Sequence, residues 1–421
     1  MEISALGAIL GLLLAIVLIL KKVEPTYAMI GGAIFGGLVG GASLSSTVSI
    51  MVGGVAGMSS AILRIVTAGI LAGVLIESGA AAKIAESITK KLGESKSLVA
   101  IMLATCILTA VGVFGDVAII TVSPIAILMA KKAGFSKLGV LFAMIGGVKA
   151  GNVMSPNPNA ISAAEAFGLP LTSVMIAGIL PAVVALVTTT FLAKRLAYKG
   201  TSFEGVNESE NQTDEELPSI GAAIIGPLVT IGLLLLRPIA GISIDPLIAL
   251  PAGGIVGMIA MGKAKYFAEY FSSGLSKMSG VVLLLIGTGT LSGIISNSEL
   301  TTAIVDLIEM FGLPGYLLAP ISGILMGAGT ASSTAGTTLG SQIFGPVVLE
   351  SGIAPLAAAA MTHAGSFVFD GLPHGSFFHV SAGAVDMEIS ERLKLISYES
   401  LNGLMMVLSA TLIYGVLGVL N

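Results

Sequence analysis

Between Met361 and His379 the chain reads MTHAGSFVFDGLPHGSFFH, a polar interruption inside a stretch that is apolar on both flanks. All three histidines of the protein (His363, His374 and His379) fall there, with Asp370, Gly371 and Pro373. Glycine and proline break a helix at this point and leave backbone amides and carbonyls free. At bilayer depth such a break is tolerated only where it is buried in protein or lines a watery cavity. Each ionisable group costs about 2.5–3.5 kcal/mol or more at that depth, so a cluster of them marks a functional site. The stretch reads as half of a substrate site.

Composition sets the class. The 421 residues are 55% hydrophobic and only 10% charged, whereas soluble domains carry about 25% charge. An all-α polytopic membrane protein follows. The 55 glycines and the absence of Trp suggest close helix packing with little aromatic belt. A net charge of -4 without a basic patch gives no case for nucleic acid. The single Cys106 rules out a disulfide within the chain and offers no cysteine metal site; a small packing residue is its simplest role. Near the N-terminus the lysines follow the apolar run, so residues 3–20 read as a spanning helix and not as a cleaved signal.

Apolar runs long enough to span lie near 3–20, 25–42, 57–77, 171–193, 219–236, 245–261, 278–297 and 397–420. Segments 137–167 and 354–388 are apolar at both ends and polar in the middle, and read as broken helices. That gives ten crossings. Two pairs of shorter arms do not cross: 97–111 with 117–131, and 314–326 with 337–351. An arm of about 15 residues reaches ~22 Å, short of a hydrocarbon core of ~30 Å. They read as re-entrant hairpins, spanning 97–132 and 314–351 as units. With the N-terminus outside, every Lys and Arg except Arg64, Lys149 and Arg237 falls on the cytoplasmic side, as the positive-inside rule requires. Both termini are then outside, and the hydrophilic stretch 198–218 is a cytoplasmic linker.

The halves repeat. Residues 57–197 and 276–421 each run helix, amphipathic segment, hairpin, broken helix, helix, in opposite orientation. Residues 1–56 and 219–275 supply additional helices. GGVKAGNVMSPNPN (146–159) aligns with AMTHAGSFVFDGLP (360–373), placing Lys149 opposite His363. Inverted repeats put their sites at the midplane, between discontinuous helices.

Four irregular elements therefore supply the candidate residues. The first hairpin tip has Gly112, Gly115 and Asp116; Asp116 suits a proton or cation, or caps a helix starting at Val117. The second tip offers Ser332, Ser333 and Thr334, whose hydroxyls and amides suit a carboxylate. The first break holds Lys149, Asn152, Asn157, Pro158 and Asn159. There the lysine pairs with an anionic substrate or with a protein carboxylate such as Asp116. The second break adds Ser366, and His363, Asp370 and His374 as groups that can titrate. A His/Asp metal site explains this layout less well than an organic anion does. Glu77, Glu165, Asp386 and Glu388 lie toward helix ends, as interfacial groups do, although Glu165 could line an access path.

Taken together, GDVAIITVSPIAILMAKKAGFSKL, SPNPNAISAAEAFGLPLTSVMIAGILPA, GTASSTAGTTLGSQIFGPVV and EISERLKLISYESLNGLM resemble the gluconate permease (GntP) family of proton-coupled organic-acid symporters, within a larger ion transporter superfamily. The family's Pro-rich turn reads SPNPNA here, with Asn157 and Asn159 as departures, and its late His-Val-Asn-Asp-type segment reads FVFDGLPH. The resemblance implies a homodimer with a scaffold and an elevator-like transport domain. The expected function is proton-coupled symport of a small organic anion, from gluconate-like sugar acids to short hydroxy or monocarboxylates, in the bacterial inner membrane. Lys149, the asparagines, Pro158, Ser332 to Thr334 and Ser366 would hold the anion. Asp116, His363, Asp370 and His374 would carry the proton. Sodium-coupled symport or sodium/proton exchange is the alternative. No cofactor is called for, and lipid, the anion and protons are the partners. An intramembrane hydrolase using Ser366 or Ser376 lacks a nucleophile elbow, and a non-transporting receptor is the remaining rival.

Overall fold

The computed structural model describes residues 3–92, 96–203, 217–300, 303, 310 and 314–419. Most of these residues are helical. In order, α1 spans Ala5–Leu20, α2 Pro25–Val39, α3 Leu44–Gly57, α4 Ser59–Glu77, α5 Ala80–Leu92, α6 Ser97–Ala110 and α7 Gly115–Ala133. Next come α8 Lys137–Val153, α9 Pro158–Ala166, α10 Leu171–Ala177, α11 Ile179–Leu196, α12 Ile220–Ala240, α13 Pro246–Ala260 and α14 Phe267–Ser296. The remainder is α15 Leu318–Thr330, α16 Ser333–Glu350, α17 Pro355–Gly365, α18 Ser376–Ala384, α19 Ile389–Arg392 and α20 Ile396–Ala410. Six of the described helical segments are long and apolar enough to cross a membrane, and several shorter apolar helices accompany them.

The apolar run expected at 57–77 is α4, Ser59–Glu77, and a helix that was not expected, α3, leads directly into it. Ser43 caps α3 by accepting from the Ser46 amide at 3.1 Å, and the chain continues near-helically through Met58 into α4. Its Ser, Thr and Gly content hides this segment from a hydropathy reading, but those small residues are what its packing needs. A Cβ on Gly54 would lie 2.1 Å from the Gly289 carbonyl, so only glycine lets α3 approach α14 this closely. The run expected at 278–297 extends back to Phe267, giving α14 its 30 residues.

One apolar cluster holds α1, α2, α3 and α14 together around Met29, Met51, Leu291 and Ile294, and faces Leu339 and Ile343 of α16. A larger one joins the buried faces of α4 to α11 with those of α17 and α20. Segment 137–166 sits deepest in the second cluster, with almost every residue of α8 buried.

The four irregular elements fall where the sequence placed them, with shifted edges. The break between α8 and α9 is 154–157, and that between α17 and α18 is 366–375. α7 has 19 residues, longer than the expected arm, because Gly115 and Asp116 form its first turn and it runs on through Lys132 and Ala133. Asp116 is therefore not a cap; Phe114 occupies that position. The second tip tightens to Ala331 and Ser332, much shorter than the expected loop over 327–336. Most of the linker 198–218 and of the amphipathic segment expected before the second hairpin lies outside the described residues.

Candidate functional site

Both breaks and both tips wall a single cavity of about 140 Å³. Asp116, Lys149, Asn152, Asn157, Pro158, Asn159, Ser332, Ser333, Thr334 and Asp370 all line it. Three expected members do not. His363 is buried in α17 with its ring 5.5 Å from that of Phe367, and His374 is exposed near the end of the break. Ser366 bonds Thr337 Oγ1 at 2.8 Å and donates to the His363 carbonyl at 2.8 Å, fastening α17 to α16. That is a packing contact, and Ser366 is not among the residues that line this cavity. The histidines that flagged the region thus stand outside the cavity they pointed to.

Four helices begin at the cavity wall: α7 at Gly115, α9 at Pro158, α16 at Ser333 and α18 at Ser376. A helix N-terminus carries about half a positive charge and unpaired amides. Two of the four are capped from within the break or tip. Asn157 Oδ1 accepts from the Ala160 amide at 3.0 Å, and Ser332 Oγ from the Ala335 amide at 3.3 Å. α7 and α18, preceded by Phe114 and Gly375, receive no side-chain cap at that position among the described residues. In α7 the Val117 amide is taken by the Asp116 side chain at 2.9 Å, which leaves its Gly115 end facing the cavity.

The asparagines divide the work. Asn157 Nδ2 donates to the Asn152 carbonyl at 2.8 Å and also meets the Asn152 side chain, which holds the first break in shape. Asn159 is 1% exposed. Its Oδ1 accepts from Thr334 Oγ1 at 2.7 Å, so the amide group is oriented with its nitrogen the other way. That nitrogen has no partner among the described residues. A buried donor left unpaired costs about 1–3 kcal/mol, and here it belongs to a residue that lines the cavity. The Thr334 contact begins a seam: Thr338 donates to Ser162 Oγ at 3.0 Å and Gln342 to the Ser162 carbonyl at 3.4 Å. At that spacing α16 lies along α9, and the second tip is registered to the first break. Ala331, at φ 48°, is one of three described non-glycine residues in the left-handed region. Strain of this kind collects where a tip must hold a set shape.

Lys149 is where the sequence reading left two options, and the structure takes a version of the second. Its ammonium bonds Asp370 Oδ1 at 2.7 Å, the Phe367 carbonyl at 2.7 Å and the Glu399 carbonyl at 3.3 Å. The protein carboxylate is Asp370, not Asp116. The latter is half-buried and bonds the amide of Val117 at 2.9 Å. Behind the pair lies a second one that sequence reasoning missed. Arg392 and Glu399 are 0% and 2% exposed and form a two-pronged ion pair. Arg392 also donates to Ser381 Oγ at 3.1 Å, and its guanidinium lies 4.7 Å from the Phe378 ring centre. A Cβ on Gly371 would come within 2.2 Å of Glu399 Oε2, so the second break presses directly on this pair. A signal was present: Glu399 is an acid at the start of the apolar run 397–420, the same anomaly that singled out Asp370.

A further polar cluster lies at a smaller cavity of about 100 Å³. Arg64 of α4 grips Asp245 with bonds of 3.0 and 2.8 Å and also meets Glu165 of α9. Glu165 lines this smaller cavity and joins α9 to α4 through Arg64. The Arg64 guanidinium holds the Asp245 carboxyl below the usual carboxylate range.

Comparison with known proteins fits this architecture. The family described as GntP family permease matches residues 3–417. An uncharacterized transporter of Haemophilus influenzae is 57% identical over 98% of this chain and 99% of its own. A gluconate permease of Pseudomonas aeruginosa is 25% identical over 93% of this chain and 92% of its own. Among solved structures, the Alcanivorax borkumensis YdaH transporter superposes with a TM-score of 0.67, covering 89% of this chain and 88% of that one at 17% identity, a likeness of fold. The chain belongs to the GntP permease family and is a multi-pass membrane transporter, not an enzyme.

Proposed function

We propose that the protein is a secondary active transporter that carries a small organic acid anion inward together with protons. The observation that carries this reading is the unpartnered Asn159 amide on a cavity walled by four helix N-termini. That is an anion cradle built from fixed dipoles, as expected at discontinuous helices. The gluconate permease among the relatives supports a carboxylate. The cavity of about 140 Å³ is close to the ~150 Å³ that holds benzene. It suits a short hydroxy acid in full, and a six-carbon sugar acid only if the tips part.

Charge bookkeeping favours a coupled cation. The cavity already holds Asp116 and Asp370 against one Lys149, and a bound carboxylate adds a third negative charge. A proton entering with it returns the site to its resting charge before it moves. In our reading α1–α4 and α12–α14 form a scaffold, and the two hairpins with the two broken helices travel past it in a homodimer. The positive-inside distribution supports external termini.

Purified protein in proteoliposomes tests this, with labelled lactate, glycerate and gluconate as probes. Counterflow of at least one probe, and its accumulation under a pH gradient without sodium, is the expected result. Accumulation only with sodium would replace the proton by sodium. Absence of counterflow for all three acids would overturn the reading.

A further inference from the structure

A lysine ammonium has three N–H donors. In Lys149 all three are taken, by Asp370 Oδ1, the Phe367 carbonyl and the Glu399 carbonyl. It lines the cavity, yet has no donor left for a ligand. Two of its acceptors are main-chain carbonyls and cannot be neutralised. Asp370 can, by accepting a proton.

We propose that Asp370 takes the coupling proton, that this releases one Lys149 donor to the substrate carboxylate, and that Arg392 and Glu399 are positioning residues that keep the proton on Asp370. The inference rests on the proton-coupled reading above and names the group that does the coupling. The proton enters from water through the cavity onto an Asp370 oxygen, and the lysine keeps its own three. When the anion leaves, Lys149 returns to the Asp370 carboxylate and the proton passes to water. Proton and anion therefore favour each other's binding, the reciprocity that coupling requires.

The groups around Asp370 explain the choice. Glu399 of α20 is clamped by both arms of Arg392 of α19, a guanidinium that does not lose its proton. Its charge is already matched, and its carbonyl is held at Lys149. Asp116 of α7 shares the cavity and has no cationic partner among the described residues, so protonating it would free no positive charge for the anion. His363 of α17 lies off the cavity against Phe367, and His374 is exposed outside its lining.

The test uses full-length protein in proteoliposomes with whichever of labelled lactate, glycerate or gluconate shows counterflow. Asp370→Asn mimics the protonated acid. It should keep counterflow, lose pH-driven accumulation by about tenfold or more, and bind the probe with an affinity no longer dependent on pH. Glu399→Gln should still accumulate, with a displaced pH profile, and Arg392→Lys should restore most of what Arg392→Gln loses. A folded Asp370→Asn protein that accumulates normally, or that loses counterflow as well, overturns the assignment. So does the uncoupled behaviour appearing in Glu399→Gln or Asp116→Asn instead. If Asp370→Asn does not fold, Asp370→Glu decides: coupling with a displaced pH profile supports the proposal, and an unchanged profile overturns it. Wild-type protein without counterflow for any probe would instead remove the transport reading itself.

Discussion

Two clusters of charge tie this molecule together, and they differ chiefly in how dry they are. In the inner one, the side chains of Lys149, Asp370, Arg392 and Glu399 are 1%, 8%, 0% and 2% exposed. In the outer one, those of Arg64, Glu165 and Asp245 are 26%, 24% and 42% exposed. Burying an ion pair costs several kcal/mol of lost hydration, which the pairing roughly offsets. The inner cluster is therefore poor evidence for stability and good evidence for function, since an apolar quartet would fold as well. The outer cluster costs little to make and little to break. Arg64 and Asp245 sit on α4 and at the start of α13, so the arginine keeps a partner where the Glu165 contact from α9 is lost.

The comparison breaks most sharply at Lys149. Lys149→Ala leaves Asp370 buried without its cation and should destabilise by about 3–5 kcal/mol. Adding Asp370→Ala should recover most of that loss, because the uncompensated charge is then gone. Thermal unfolding in detergent, followed for the single and double variants, measures both. A double variant no more stable than the single one would show that charge burial is not what the pair resolves.

Next in size is Gly371→Ala. The new methyl would meet Glu399 Oε2, a charged oxygen fixed by Arg392, so the break must shift or the pair must open. Overpacking of this kind costs about 1–3 kcal/mol. Gly383, which has open space where a Cβ would be, serves as the control: Gly383→Ala should change the unfolding midpoint far less.

The inner site was more legible from the sequence in its place than in its parts. Polar and ionisable residues stand out in apolar runs, so Lys149, Asp370 and the asparagines were found before any fold was known. His363 and His374 stood out for the same reason and proved to lie off the cavity, because composition locates a break without saying which side of it faces inward. Arg392 and Glu399 escaped because Glu399 opens an apolar run, where an acid reads as interfacial. Which carboxylate meets Lys149 depends on contacts more than 200 residues apart in the chain, and no local pattern encodes that. α3 was missed for a packing reason: the small residues that fit it against α14 lower the hydropathy that would have announced it.

The outer cluster sharpens the comparison from the weak side. Glu165→Gln removes one exposed charge and should cost no more than about 1 kcal/mol. Its clearer effect should be on motion, as a changed rate of probe counterflow with little change in unfolding midpoint. Raised salt should shrink the wild-type advantage toward the variant, since exposed pairs are screened. A stability loss as large as that of Lys149→Ala would erase the distinction between the clusters.

The smallest expected effect is on pH. Arg64 holds the folded Asp245 carboxyl below its usual value, while the unfolded chain titrates near ~3.9. The stabilisation is fully present above that unfolded value and is lost as pH falls through the lower folded one. Because the Asp245 side chain is 42% exposed, solvent screens most of the shift and the contribution is slight. Wild-type and Asp245→Asn proteins should therefore differ by a small, constant amount in unfolding midpoint from pH 8 to pH 5 and converge only below about pH 4. Convergence already near pH 6 would mean that a group other than Asp245 governs the outer cluster.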